Sequence, residues 1–235
     1  MSIGTMRFIA SGGKPMKVSP KRLAYKLDKY GVRRQFVNGW DSARIDPYKG
    51  RSNFDGIILH HTAGLDSLRY ICYGNPYAPV RAAHFYVDRE GMVFVCSGVG
   101  AYHAGKGGPW TFPKRGKDVV IPKDSGNSRL YGIEIESLGR SRKIDGSEAG
   151  MTVEQVVSTS LLCAALLNAM KTGPGSLPVS RVIRHRDWTT RKIDVKQDIE
   201  WWHHAIGISR RLKGKPDESE ALVREFVKEH PRGRL

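Results

Sequence analysis

Two histidine-terminated runs and one aspartate are the residues of this 235-residue chain best suited to hold a metal ion. The run Phe54-Asp55-Gly56-Ile57-Ile58-Leu59 ends in His60 and His61. Ile57, Ile58 and Leu59 read as a buried strand, being β-branched or aliphatic and bounded by glycine. Such a strand presents its last side chains with little rotamer freedom, as a metal ligand requires. Val179 to Arg184 reads as a second strand and ends on His185; Asp194 follows nine positions later, with Lys192 two positions before it. Zinc in hydrolytic sites takes three protein ligands from His, carboxylate or thiolate and keeps a fourth position open. His60, His185 and Asp194 supply such a set. The competing readings are a hydrogen-bonded core histidine at the strand end, a surface pair of His185 with Asp187, and Asp194 as the N-cap of the helix that follows.

The elements that must position these residues alternate between strand and helix patterns. Ser19-Pro20 reads as an N-cap and first helical position, opening a helix that runs to about Tyr30 before Gly31. Residues 1–18 carry one short possible strand at Met6 to Ala10, and Val32 to Arg51 shows no strong period. A short helix is expected over Leu65 to Cys72 and a Gly/Pro loop over Tyr73 to Val80. Ala82 to Cys96 reads as a hairpin turning at Gly91. Tyr102 to Gly108 is a glycine-rich loop, and Pro109 to Asn127 reads as a long polar excursion suited to a substrate rim. Tyr131 to Ser137 alternates, with Ile133 and Ile135 on one face and Gly132, Glu134 and Glu136 on the other. Two carboxylates on one strand face are costly unless solvated or paired. Met151 to Lys171 reads as a long amphipathic helix, capped by Thr152 with Gln155 and ended by Gly173-Pro174. Asp198 to Leu212 is a further helix, where His203 and His204 beside Trp201 and Trp202 are expected to serve packing or surface roles. Lys213 onward is a charged tail, helix or linker.

Composition limits the partners. The net charge of +16 predicts attraction to a polyanion, whether nucleic acid, an anionic membrane surface or acidic wall polymers. Residues 1–50 hold 11 Lys and Arg against 3 Asp and Glu, so the leading segment is itself strongly basic. Cys72, Cys96 and Cys163 are too few and too scattered for a disulfide framework, which fits synthesis in a reducing compartment. No apolar run approaches a membrane span, and the N-terminus lacks the order of a secretory signal.

Five stretches occur together in one order: Leu59-His60-His61-Thr62-Ala63; Ala83-His84-Phe85-Tyr86-Val87-Asp88-Arg89-Glu90-Gly91; Tyr102-His103-Ala104-Gly105; Tyr131-Gly132-Ile133-Glu134; and His185-Arg186-Asp187 with Lys192 and Asp194. In this the chain resembles the type 2 N-acetylmuramoyl-L-alanine amidases, the group of phage lysis amidases, bacterial muropeptide amidases and peptidoglycan recognition proteins. The resemblance covers residues 54–207.

That resemblance implies an α/β fold with a central mixed β-sheet flanked by helices, one Zn2+ ion, and hydrolysis of the amide between N-acetylmuramic acid and L-alanine in peptidoglycan. It implies His60, His185 and Asp194 as ligands, with His61 a neighbour. A tyrosine that precedes the hairpin histidine in some members is Ala83 here, so the general acid/base role passes to Glu134, as in the aspartate-liganded branch. Glu136 is the weaker candidate. Lys192 is expected to stabilise the oxyanion. His61, His84, His103 and Trp188 are candidates for substrate contact. The domain expectation is a basic extension with one helix over 1–52, a catalytic domain over 53–212 and a charged tail or helix over 213–235. The context expected first is a phage endolysin: a monomer made in the host cytoplasm without a signal peptide, released by a holin-type lesion, meeting peptidoglycan and anionic wall polymers, with no nucleic-acid partner and no stable membrane insertion. An inactive binding module on the same fold and a cytosolic muropeptide-recycling amidase are the alternatives.

Overall fold

Short β-branched runs bounded by glycine build the sheet, and one long apolar segment becomes the helix that backs it. The structure is a computed structural model and describes residues 18–42, 53–74, 80–113, 118–171 and 175–235. In chain order the elements are α1 (Pro20–Lys29), β1 (Arg34–Phe36), β2 (Gly56–His61), α2 (Leu68–Tyr73), β3 (Phe85–Val87), β4 (Val93–Val95), β5 (Trp110–Phe112), β6 (Val119–Ile121), α3 (Gly126–Arg129), β7 (Leu130–Ile135), α4 (Val153–Ala169), β8 (Val182–Arg184), α5 (His185–Trp188), α6 (Ile199–Arg211) and α7 (Pro216–Glu229). Six strands form one sheet in the order β1-β4-β3-β7-β2-β8. Only the hairpin pair β3/β4 is antiparallel, so the sheet is mixed and the expected α/β architecture is present.

Alternation along β2 divides its side chains between two cores. Ile57 and Leu59 join Phe85, Ile133, Ile135 and Val182 in the main core, which α1, α4, α6 and α7 cover. Ile58 faces the other way, into a second cluster with Ile183, Leu130 and Trp188. His60 therefore shares the second face, as does Glu134, its register partner on β7. The sheet thus has a helix-covered face and a face that carries the site.

α4 begins with the expected capping box, Thr152 accepting from the Gln155 backbone while Gln155 Oε1 accepts from the Thr152 backbone at 2.9 Å. It is not amphipathic: every residue from Gln155 to Ala169 is buried. Its polar residues Ser158, Thr159, Ser160 and Asn168 suggest a wet face, yet they are buried with the rest of the helix, which packs against α1, α6 and α7. By length and composition Ser147–Ala169 would pass for a membrane span, contrary to the sequence expectation, and 83% of its most apolar stretch lies inside the protein.

Several expectations need correction. Pro109 to Asn127 contains a two-stranded antiparallel sheet, β5/β6, whose Phe112 and Ile121 enter the second cluster. Three-residue strands separated by charged residues are too short to show a period. β1 was not expected; it pairs with β4 at the sheet's edge, while Val18, Leu23, Leu27 and Tyr30 around α1 join the main core. Val179–Arg181 is a 3-10 turn, leaving a three-residue β8. Cys72 and Cys96 form a disulfide with Cα atoms 5.3 Å apart, because the hairpin returns β4 beneath α2. Cys163 is buried in α4. The strand expected over Met6 to Ala10 and the Gly173-Pro174 stop lie outside the described residues.

The charged C-terminal stretch is the helix α7. Pro216 occupies its first turn, and Val223, Phe226 and Val227 are buried against the main core. Phe226 packs on Trp201 at 5.4 Å and on His204 at 4.6 Å between ring centroids. Phe226→Ala is expected to lower unfolding stability by about 3–5 kcal/mol in urea titrations. A loss below about 1 kcal/mol would mark α7 as an appendage.

Candidate metal and catalytic centre

The parallel pairing of β2 with β8 brings two strand ends together, and each ends on an imidazole. His60 is the next-to-last residue of β2 and His185 opens α5 directly after β8, with their Nδ1 atoms 2.9 Å apart. The chain is turned there by Asp187, which accepts from the Arg184 backbone at 2.9 Å and from the Arg184 guanidinium. Asp187 is thus the partner of Arg184 rather than of His185. The Arg186 backbone N–H then donates to the Asp194 carbonyl at 2.7 Å, closing the loop and returning the carboxylate to the two imidazoles. Asp194 Oδ2 lies 3.1 Å from His185 Nδ1 and 3.5 Å from His60 Nδ1. The N-cap of α6 is Asp198.

These three side chains are buried. Burial and the neighbouring His185 lower the His60 pKa to about 4. Burial would raise that of Asp194, but hydrogen bonds with His185 and His60 hold it below the usual carboxylate range. At neutral pH the cluster combines a neutral imidazole at position 60 with an ionised carboxylate. On the far side of each ring, His185 Nε2 lies 3.2 Å from the Ala104 carbonyl and His60 Nε2 lies 3.1 Å from His103 Nδ1. Ligands about 2.0–2.1 Å from a tetrahedral ion stand roughly 3.3–3.4 Å apart, close to the three separations here. Two imidazoles and a carboxylate at this spacing suit zinc.

Glu134 points at the same cleft from the adjacent strand. Its Oε2 is shielded from solvent and has no hydrogen-bond partner among the described residues. Burial and then Asp194 push its pKa up to about 8, while Lys192 acts in the opposite sense. The cleft has a volume of about 430 Å³, and Tyr70, Ile71, Tyr102, Arg191, Lys192 and Ile193 are among the residues that line it. Glu136, two residues beyond Glu134, is occupied elsewhere: it accepts from the Asp66 backbone at 2.5 Å and from the Tyr86 hydroxyl.

The four candidates for substrate contact separate. His61 and His103 line the cleft. His61 lies against Gly139, where a Cβ would come 2.2 Å from the ring. His84 is wholly buried behind the cleft, its Nδ1 accepting from the Gly132 backbone at 3.0 Å and its ring edge-on to Phe54 and Tyr131. Trp188 is also interior, pressed by Gly107, Gly108 and Gly126. His203 Nε2 donates to the Val182 carbonyl at 2.9 Å, and His204 stacks on Phe226, both packing roles as expected. The aromatic and cationic cleft walls, Tyr70, Tyr102 and Arg191, were not singled out from sequence, since nothing local marks them.

The family described as N-acetylmuramoyl-L-alanine amidase matches residues 50–197. No curated protein matches the chain. Among solved structures, similarity extends to the endolysin N-acetylmuramoyl-L-alanine amidase LysCS from Clostridium intestinale URNW, 18% identical over 66% of this chain and 82% of that one, with a TM-score of 0.41. AmpDH3 from Pseudomonas aeruginosa is 20% identical over 74% of this chain and 66% of that one, TM-score 0.46. A mutant endolysin from Bacillus subtilis is 18% identical over 81% of this chain and 96% of that one, TM-score 0.43.

Proposed function

Because the chain belongs to the N-acetylmuramoyl-L-alanine amidase family, we propose that it is a zinc-dependent hydrolase that cuts the amide between the lactyl group of N-acetylmuramic acid and the first L-alanine of the peptidoglycan stem peptide. The observation that carries this reading is the convergence of His60, His185 and Asp194 beside an unpartnered Glu134 in one cleft.

His60, His185 and Asp194 would hold a zinc ion, which would supply Lewis-acid chemistry when bound. Glu134 takes a proton from the attacking water and returns it to the departing amine. A carboxyl group beside the metal site can serve in both directions. Lys192, exposed on the cleft wall, places a cation where the oxyanion develops. A receptor of the same fold would need neither Glu134 nor Lys192.

Digestion of defined peptidoglycan, followed by mass spectrometry of the new termini, tests the bond assignment. The expected products are free L-alanine amino termini and intact glycan strands; new reducing ends or stem-peptide cuts would overturn it. Removing metal with a chelator is expected to abolish turnover, and adding zinc to restore it. An undiminished rate after chelation would overturn the metal assignment.

The context we propose is a phage lysin that acts as a monomer on the wall after holin-mediated release. The Cys72–Cys96 disulfide supports work outside the reducing cytosol. The basic surface supports docking to anionic wall polymers. Lys26 is pushed below its ordinary value by burial and by Lys213, Arg22 and Lys29 around it, and none of these four joins a described ion pair. Lys26→Glu with Lys29→Glu is expected to weaken binding to polymer-bearing walls several-fold at low salt. The difference should vanish at high salt, while hydrolysis of a short soluble muropeptide stays unchanged. Equal wall binding at low salt would remove this surface from the reading.

A further inference from the structure

We propose that the His103-Ala104 dipeptide, clamped by Asn127, aims both imidazole ligands, with His103 a positioning residue rather than a substrate contact. The inference rests on the zinc reading above and concerns how this chain prepares its own ligands.

A backbone carbonyl only accepts, so His103 Nε2, 2.9 Å from the Leu130 carbonyl, must carry the hydrogen. In a neutral ring that leaves Nδ1 as a bare acceptor. His60 Nε2 stands 3.1 Å from that Nδ1 and must therefore donate to it. The proton of His60 is thereby held on Nε2, and its Nδ1 lone pair is turned toward His185 and Asp194. The next residue repeats the operation on the second ligand: the Ala104 carbonyl accepts from His185 Nε2 at 3.2 Å, which frees His185 Nδ1. Partners of this kind fix the tautomer and orientation of metal-bound histidines.

The dipeptide is itself fixed. Asn127 Oδ1 accepts from both the His103 and the Ala104 backbone N–H, at 2.9 and 2.7 Å. The His103 ring lies on β7 at Gly132, where a Cβ would come 2.2 Å from its Cγ. Any side chain at 132 would displace the ring, so the glycine two residues before Glu134 is the seat of the relay. Both nitrogens of His103 are committed, which leaves it no polar atom for a ligand in the cleft it lines.

The test uses the full chain and zinc. In the zinc-loaded parent, long-range 15N–1H correlation spectra should show His103 protonated at Nε2 with a bare Nδ1. A proton on Nδ1 would overturn the relay, and this measurement needs no variant. His103→Phe keeps the ring and removes both nitrogens. Competition with a chromophoric chelator should show its zinc affinity about 10–100-fold weaker. Affinity within twofold of the parent overturns the inference while leaving the zinc reading intact. A parent that binds no zinc overturns both.

Discussion

Glu134→Gln is expected to keep one zinc per chain and to lose amide hydrolysis by about 10²–10⁴-fold in kcat. The substitution preserves shape and removes the group that exchanges protons with water and leaving amine. None of the three donor atoms moves, because Glu134 hydrogen-bonds to none of them. Metal analysis beside single-turnover kinetics checks the separation: a variant that turns over at the parental rate would remove Glu134 from the chemistry. The same change has a signature in the metal-free protein. Burial raises the Glu134 pKa from 4.5 to about 8. A carboxyl raised in the folded state costs stability increasingly as pH climbs from its unfolded value toward its folded one. Chelated Glu134→Gln should therefore melt above the chelated parent, with a gap that widens between pH 5 and pH 8. A gap that is constant or narrows would refute the raised Glu134 pKa.

Asp194→Ala is expected to lose zinc and turnover together. It removes the one ionised donor of the set, leaving two imidazoles whose Nδ1 atoms face each other at 2.9 Å. Losing an outer partner of a ligand already costs 10–100-fold in affinity, so losing the ligand should cost more than about 100-fold. Asp194→Cys offers the contrast, since a thiolate is also a zinc donor; it is expected to recover metal binding. Parental zinc affinity in Asp194→Ala would place the metal elsewhere.

Much of this centre was legible in the sequence because rigid strand ends carried it. Ile57 to His61 and Tyr131 to Ile135 are long enough to show their patterns, and their parallel pairing places His60 opposite Glu134. Asp194 was legible through its interval from His185, though not the Arg186 backbone bond that brings it home. What stayed hidden depends on contacts between distant segments. The seat at Gly132 requires knowing that the His103 loop crosses β7, and the disulfide requires knowing that the hairpin passes beneath α2. His84 and Trp188 looked functional because they stand beside functional residues in the chain, yet both are interior packing. The β5/β6 ribbon was hidden by brevity, and the burial of α4 by its serines and threonines.

The wrapping of α4 has a practical consequence for anyone who treats amidase domains as interchangeable parts. Its covering helices come from both ends of the chain: α1 precedes the catalytic strands, and α6 and α7 follow them. A fragment cut to residues 50–197 would keep every proposed zinc ligand and strip the jacket from the fully buried run of α4, Gln155 to Ala169. Such a fragment is expected to precipitate or to cling to lipid. Any shortened version has to keep α1, α6 and α7, because the boundaries of the chemistry are narrower than those of the fold that supports it.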